Sequence, residues 1–237
     1  MGAIKVLLGA PTSKIKDYCF IDWLSNIKRF TFPVDIVLVD NSADTDYYEY
    51  LKQFKGIKVF HVDQAGRDSQ AYITDSQNVI RDYFLAHDYT HYFSLESDIF
   101  PRQMDIVERL IDHDQPLISG VYPIGLGEDT ELLIGQYISN FEAKNSVYGI
   151  VVKDLMGFWL MDGTVKEVAH CGIGCSMIER SVIEQIPFRY IAGEPQHSDS
   201  YFYADCFAIG ITALIDTAIQ LDHRNIDWGL FSDTKNN

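Results

Sequence analysis

Two carboxylates stand two positions apart in the segment Glu96-Ser97-Asp98, directly after the apolar run 91–95. Carboxylate oxygens are the ligands that hard divalent cations prefer, and such a cation commonly bridges to a substrate diphosphate. Two acids this close together are equally typical of an ordinary polar loop. Their position after an apolar strand, with Pro101 closing the turn, favours a cation and phosphate site over that alternative.

Three more side chains could take part in the same chemistry. His223 follows the last predicted strand, where a neutral imidazole could supply a third metal ligand; a surface histidine is the alternative. Asp199 follows Ser198 at the predicted start of a helix, where the helix dipole would keep it ionised to accept a proton from an attacking hydroxyl. Simple helix capping is the alternative for Asp199. Asp40 ends another apolar run, either to bind a nucleobase or ribose or only to terminate the strand.

The elements that must position these side chains alternate between strand and helix. Strands are predicted at 5–9, 35–40, 57–62 and 91–95, and helices at 15–27, 47–54 and 72–87. This order predicts an α/β fold with a mostly parallel sheet and helices on both faces. Ligands bind such sheets at the carboxyl ends of the strands. We therefore expect Pro11, Thr12, Asp40 and the Glu96–Asp98 segment to meet at one edge.

The second half of the chain continues the same organisation. Pro101 is predicted to lie in the first turn of a helix. Further strands are predicted at 117–122, 172–178 and 212–216, and further helices at 181–186 and 198–209. Residues 125–166 are ambiguous between short strands and hairpins. Since no internal repeat or linker interrupts the chain, one domain with two halves is expected.

Composition excludes several classes of protein. Hydrophobic residues make up 47% and aromatic residues 13% of the 237 residues, which excludes a disordered chain. No run approaches the roughly 18 apolar residues of a membrane helix, and residues 1–6 lack signal-peptide features, so a cytoplasmic protein is expected. Asp and Glu number 34 against 19 Lys and Arg, and the net charge of −15 disfavours tight binding of duplex nucleic acid. A phosphate-bearing ligand is expected to be small and to bring a divalent metal as counter-charge.

Cysteine content and familiar motifs exclude further activities. Four cysteines are too few for a disulfide scaffold and lack the spacing of a zinc site, so they are expected to be reduced packing residues: Cys19, Cys171, Cys175 and Cys206. The sequence contains no G-x-G-x-x-G, P-loop, G-x-S-x-G or H-E-x-x-H motif. Dinucleotide-binding, kinase-like and serine-hydrolase functions therefore have little support.

The order of these parts resembles the GT-A-fold, nucleotide-sugar-dependent glycosyltransferases related to glycosyltransferase family two, over about Lys5 to His223. The segment 92–101 resembles the strand and DxD motif that hold the metal and the donor diphosphate. The segment 37–42 resembles the second strand, whose Asp contacts the nucleobase. The helix that contains Gln77-Asn78 is similar to the family's Arg-Asn helix.

The later segments carry the same resemblance. The segment 172–180 resembles a glycine-containing strand near the acceptor, and Ser198-Asp199 resembles the Glu-Asp helix start in which the Asp is the base of inverting members. His223 resembles the late histidine of the metal site. Three positions depart from the family pattern: Glu96 replaces the first Asp of DxD, Gln77 the usual Arg, and Ser198 the Glu before the base.

The resemblance implies a fold, a reaction and a set of site residues. The fold is one GT-A (Rossmann-like) domain over 1–237, with a nucleotide-binding half at about 1–100, an acceptor half at about 101–225 and a tail at 226–237. The reaction is metal-dependent, inverting transfer of a sugar from a UDP- or GDP-linked donor to an acceptor hydroxyl, with Mn²⁺ or Mg²⁺ as cofactor. The implied residues are Asp199 as catalytic base; Asp98, His223 and Glu96 at the metal; Pro11, Thr12, Asp40, Arg67, Asn78, Glu96 and Ser97 at the donor; and Gly172, Ile173 and Gly174 on the acceptor side.

Two other functions stay open at this point. A nucleotidyltransferase would show a glycine-rich, basic first loop, whereas the segment 10–14 contains no glycine. A non-catalytic nucleotide-sugar-binding or glycan-binding module would have a degenerate site. The presence of Asp98, Asp199 and His223 argues against such a module. The sequence does not identify the acceptor or the oligomeric state. A modified DNA base is a minority option because of the negative charge.

Overall fold

A nine-stranded sheet runs through the protein in the computed structural model. The structure describes residues 3–64, 66–123, 161–194 and 196–224, and the backbone of 124, 131–132, 134–137 and 150–151. The strands are Val6–Thr12 (β1), Val34–Asp40 (β2), Ile57–His61 (β3), His91–Leu95 (β4), Ile99–Pro101 (β5), Leu117–Val121 (β6), Pro123–Ile124 (β7), Glu131–Leu132 (β8), Ile134–Tyr137 (β9), Ile150–Val151 (β10), Val165–Val168 (β11), His170–Cys171 (β12), Cys175–Glu179 (β13) and Ala213–His223 (β14). The helices are Asp17–Ile27 (α1), Asp46–Leu51 (α2), Ser69–Leu85 (α3), Ile106–Asp112 (α4), Arg180–Gln185 (α5) and Ser198–Ala208 (α6).

The order of the strands in the sheet determines which strand ends lie next to each other. The main sheet runs β11-β14-β6-β13-β4-β1-β2-β3, and β5 pairs with β14 beside this path. Strand β1 is parallel to both β2 and β4, and β2 is parallel to β3. Strand β13 is antiparallel to both β4 and β6. The predicted α/β fold is confirmed, but the sheet is mixed rather than mostly parallel because β13 runs against both of its neighbours.

Helices bury both faces of the sheet. Successive strand residues point to opposite faces, so Leu8 and Phe93 join one core cluster while Leu7 and Tyr92 join the other. Helices α1, α2 and α4 cover the first cluster, and α3, α5 and α6 cover the second. This double burial is why the strands consist of near-continuous apolar runs. All four cysteines are buried and free, as predicted. Within the described ranges, no helix has the length and apolar character that a membrane span requires.

Several predicted elements differ from the structure. Strand β1 continues to Thr12 instead of ending at 9, and the strand predicted at 172–178 begins only at Cys175. Pro101 does not lie in a helix: it ends β5, opposite Leu221 of β14, and α4 begins at Ile106. The prediction failed because pairing with a strand far along the chain determines the conformation there. The last strand continues to His223 instead of ending at 216. Most of the ambiguous stretch 125–166 and the predicted tail 226–237 lie outside the described residues.

Candidate active site

Parallel pairing of β1 with β2 and β4 brings several predicted donor-side residues to one sheet edge. Thr12 ends β1 opposite Asp40, which ends β2, and Pro11 lies opposite Val39 in the same register. The hydroxyl oxygens of Thr12 and Ser97 are 2.9 Å apart and buried. Pro11, Thr12, Asp40 and Ser97 therefore share this edge.

Lys16 lies between the two acids of the predicted metal motif. It belongs to a 3₁₀ turn, Lys14–Lys16, that follows β1. Its Nζ donates hydrogen bonds to Asp98 Oδ1 at 2.8 Å and Glu96 Oε2 at 3.2 Å. The side chain of Lys16 is 17% exposed and that of Asp98 only 2% exposed. Sequence analysis missed this residue, and the only signal was a short basic cluster just after a strand that ends at the site.

His223 reaches the same acids from the far end of the chain. Strand β14 pairs with β5 and places His223 opposite Ile99, and the backbone N–H of Arg224 donates to the Asp98 carbonyl at 2.9 Å. The Nε2 atom of His223 lies 3.6 Å from Asp98 Oδ2, and its Nδ1 lies 2.7 Å from the carbonyl oxygen of Pro123. Because a carbonyl oxygen only accepts, Nδ1 carries a proton.

The charged side chains of Asp98, Lys16 and His223 shift one another's pKa values. Burial alone would raise the pKa of the Asp98 carboxyl, but the Lys16 ammonium and the His223 ring outweigh burial and lower that pKa to about 2. Burial would lower the pKa of Lys16, yet Glu96 and Asp98 raise it. Burial would also lower the pKa of His223, but the hydrogen bond and the charge of Asp98 raise it. At neutral pH the site therefore holds an ionised Asp98 beside a charged Lys16.

Gly174 brings the predicted acceptor-side segment against Glu96. The backbone N–H of Glu96 donates to the Gly174 carbonyl at 2.9 Å, and the Gly174 N–H donates to Tyr122 Oη at 3.1 Å. A Cβ at position 174 would lie 2.7 Å from Tyr122 Oη and 3.1 Å from Glu96 Cδ, closer than the neighbours tolerate. Glycine thus permits the close approach. Gly172 and Ile173 are buried, and Ile173 packs into the core.

Asp199 lies in the first turn of α6. The N-cap position belongs to His197, so helix capping does not describe Asp199, whose Oδ1 accepts a hydrogen bond from the Ser200 N–H at 2.8 Å. Burial raises the pKa of the Asp199 carboxyl and the charge of Glu96 raises it further, against the opposing effects of Ser200 and His197. Asp199 and Glu96 thus influence each other electrostatically.

Asp40 is already held by its own chain. Its Oδ1 accepts hydrogen bonds from the Ser42 N–H at 3.0 Å and from the Ser42 hydroxyl at 2.5 Å, and its Oδ2 pairs with His61 Nδ1 at 2.9 Å. A carboxylate has about four acceptor positions, so about one remains for a ligand. The expected contact with a nucleobase stays a prediction.

Two predicted donor residues make their contacts elsewhere. Arg67 donates to Asp75 Oδ2 at 2.5 Å on an exposed surface beside α3. The amide of Asn78 donates to the Phe188 carbonyl at 2.8 Å and accepts from the Phe188 N–H at 3.0 Å, which holds the segment after α5 against α3. In the part of the chain that the structure describes, no hydrogen bond or ion pair joins Arg67 or Asn78 to Asp98. Their donor roles stay predictions.

The acids and the histidine could hold part of the coordination shell of a metal. Asp98 offers an oxygen and His223 a nitrogen, which suits Mn²⁺ and, with more oxygen ligands, Mg²⁺. The hydrogen bond from His223 Nδ1 to a backbone carbonyl is the arrangement that orients metal-binding imidazoles. Across the described ranges, no group of three or more His, Cys, Asp or Glu side chains is arranged to hold an ion. Asp98 and His223 therefore fit a cation whose remaining ligands come from a bound molecule or water.

Comparison with known proteins gives structural matches alone. No protein-family model and no curated protein sequence matches the chain. Among solved structures, A197 from STIV is 16% identical with a TM-score of 0.52, and the match covers 94% of this chain and 87% of that one.

Two further matches are larger proteins solved with nucleotide sugars. A fragment of TarS from S. aureus, in complex with UDP-GlcNAc, is 10% identical with a TM-score of 0.58; the match covers 94% of this chain and 60% of that one. The mannosyltransferase PcManGT from Pyrobaculum calidifontis, in complex with GDP-Man and Mn²⁺, is 13% identical with a TM-score of 0.59 and coverages of 96% and 59%. The chain thus spans about three-fifths of their length. The shared fold confirms the GT-A-like architecture expected from the sequence.

Proposed function

We propose that the protein is a metal-dependent glycosyltransferase that moves a sugar from a nucleoside-diphosphate sugar to an acceptor hydroxyl with inversion. The observation that carries the proposal is the meeting of Asp98 with His223, whose Nε2 lies 3.6 Å from Asp98 Oδ2, at the ligand-binding edge of a GT-A-like sheet. The complexes of TarS with UDP-GlcNAc and of PcManGT with GDP-Man and Mn²⁺ support UDP- or GDP-linked donors.

The residues around Asp98 would stabilise the leaving nucleoside diphosphate. A divalent cation held by Asp98 and His223 would act as a Lewis acid that offsets the charge developing on the nucleoside diphosphate. Thr12 and Ser97 present hydroxyls at the same edge, where they can orient the donor by hydrogen bonds. Asp40 ends β2 beside Thr12, on the side of the sheet where the nucleobase or ribose would bind.

Asp199 is suited to the other half of the reaction. Its carboxylate would take the proton from the acceptor hydroxyl as that oxygen attacks the anomeric carbon. A raised pKa makes a carboxylate a stronger base, and Asp199 owes its raised pKa to burial and to Glu96. One base on the acceptor side and a leaving diphosphate on the donor side are what inversion requires. The buried segment 172–174 lies next to Glu96 and would border the acceptor.

The test is release of nucleoside diphosphate in the presence of Mn²⁺ or Mg²⁺. The protein is incubated with UDP- and GDP-linked sugars and a panel of hydroxyl acceptors, and UDP or GDP is quantified together with the glycosylated product. We expect product with one donor class, loss of product for Asp98→Asn and Asp199→Asn, and unchanged product for the exposed control Asp82→Asn. Donor binding without product for any acceptor would instead indicate a non-catalytic binding module.

A further inference from the structure

Lys16 supplies a positive charge between the two carboxylates of Glu96 and Asp98. Its Nζ contacts Asp98 Oδ1 at 2.8 Å and Glu96 Oε2 at 3.2 Å, so one ammonium joins both carboxylates. The Asp98 side chain is almost completely buried, at 2% exposed. A buried carboxylate without a partner is costly, so Lys16 compensates a charge that water does not reach.

The backbone holds Lys16 in this position. The 3₁₀ turn Lys14–Lys16 follows β1 directly, and the Lys16 N–H donates to the Ser13 carbonyl at 2.8 Å. The Lys14 N–H donates to Ser42 Oγ at 2.8 Å, which ties the turn to the loop after β2. Lys14 itself is exposed, whereas Lys16 is directed inward. The ammonium is thus a fixed part of the site rather than a surface charge.

We propose that Lys16 is a resident cation that competes with the divalent metal for the Glu96–Asp98 pair and thereby sets the metal affinity of the protein. A divalent ion that approaches alone meets a like charge 2.8 Å from one oxygen of the Asp98 carboxylate that would bind it. Among the residues that the structure describes, it also finds only Asp98 and His223 arranged as ligands. Metal alone is therefore expected to bind weakly, and metal that arrives with a diphosphate is expected to bind well, because the phosphate oxygens add ligands and negative charge.

This inference rests on the proposed function only for the nature of the diphosphate ligand. The competition between Lys16 and the metal concerns the protein alone, and it can be measured without any nucleotide.

The experiment titrates Mn²⁺ alone into the protein and follows both binding heat and melting temperature. Lys16→Met keeps most of the length of the side chain but removes its charge, and Lys16→Gln keeps a hydrogen-bond donor in case the apolar variant folds poorly. Lys16→Arg retains the charge, and Lys14→Met is the matched control on the exposed side of the same turn. We expect Mn²⁺ to bind both neutral variants at least about tenfold more tightly than the wild type, and to raise their melting temperatures more. Lys16→Arg and Lys14→Met should behave as the wild type.

Two outcomes separate this proposal from the proposed function. Equal Mn²⁺ affinity in the wild type and both neutral variants overturns the role of Lys16, whether or not the protein binds nucleotide sugars. Tighter Mn²⁺ binding by the neutral variants supports that role even if the wild type binds no UDP- or GDP-linked sugar, a result that would count against the proposed function instead.

Discussion

The hydroxyl of Ser198 donates a hydrogen bond to Gln77 Oε1 over 2.6 Å, in a buried contact between α6 and α3. Both residues depart from the pattern of the glycosyltransferases that the sequence resembles, in which an acid precedes the catalytic base and an arginine occupies the position of Gln77. The two departures therefore meet in space. A neutral hydrogen bond connects the helix that carries Asp199 to α3, which packs against β1 and β2.

Removing this hydrogen bond should destabilise the protein. Ser198→Ala leaves the Gln77 acceptor buried without its partner, and we expect the free energy of unfolding to fall by about 1–3 kcal/mol. Chemical denaturation measures the change. The exposed Ser25, whose hydroxyl bonds only to a carbonyl of its own helix, is the control, and Ser25→Ala should change stability by less than about 0.5 kcal/mol. Equal stability of Ser198→Ala and the wild type would contradict the structural role of the contact.

Loss of the Asp199 carboxylate should abolish transfer while donor binding persists. In Asp199→Asn we expect turnover to fall by roughly 10²–10⁴-fold, the usual contribution of a general base, and donor affinity to stay within about threefold. Turnover by the wild type should fall as the pH drops through the raised pKa of Asp199, at a higher pH than for an ordinary Asp. A pH profile of kcat/KM checks this. An acid limb at the ordinary Asp pKa would speak against Asp199 as the base.

The ion pair of Asp98 and Lys16 should appear as acid-sensitive stability. The folded-state pKa of Asp98, about 2, lies below its ordinary value of 3.8, so the pair stabilises the fold above pH 4 and that stabilisation is lost as the pH falls toward 2. The expected loss is about 2 kcal/mol.

The measurement compares the pH dependence of the unfolding free energy in the wild type and in Asp98→Asn between pH 2 and 5. Asp199 contributes the opposite slope, because a raised carboxyl pKa makes the fold less stable as the pH rises through it. Since Asp199 is present in both proteins, the difference between the two curves isolates Asp98. Parallel curves would exclude the proposed effect of the ion pair.

An added methyl group at position 174 should disturb the site as well as the core. In Gly174→Ala the new Cβ would press on Tyr122 and Glu96, and we expect a loss of about 1–3 kcal/mol in stability together with weaker donor binding. Gly120→Ala is the matched control, because its Cβ would lie 2.9 Å from Ile219 within the core. That variant should lose stability but keep its donor affinity. Retention of donor affinity by Gly174→Ala would show that the contact of Gly174 with Glu96 does not affect donor binding.

Local sequence patterns predicted most strands of the sheet, because a sheet that is buried on both faces consists of apolar runs. The strands that end at Thr12, Asp40 and Leu95 were predicted from apolar runs, and parallel pairing then requires their ends to meet. The register of β14 with β5 could not be predicted in this way. Pro101 pairs with Leu221, and no local pattern encodes a partner so far along the chain.

The sequence predicted several residues of the candidate site, but not the contacts that those residues make. Asp98 and His223 were predicted together from the resemblance, and the structure brings them within 3.6 Å. Lys16 was missed because a single basic residue in a turn has no periodicity to show its direction. Asn78 was assigned to the donor from its place in a motif, whereas its amide bonds to the Phe188 backbone, a contact that depends on packing between α3 and the segment after α5.

Calorimetric titration of nucleotide sugars measures whether Asp98 and His223 bind a donor together with a metal ion. UDP-GlcNAc, GDP-Man and other UDP- and GDP-linked sugars are titrated into the wild type, Asp98→Asn and His223→Ala, with Mn²⁺ and with a chelator. We expect one-to-one binding of one donor class by the wild type in Mn²⁺, weakened at least about tenfold by the chelator and by either substitution. Failure of every donor to bind, or equal binding by the wild type and both variants, would contradict it.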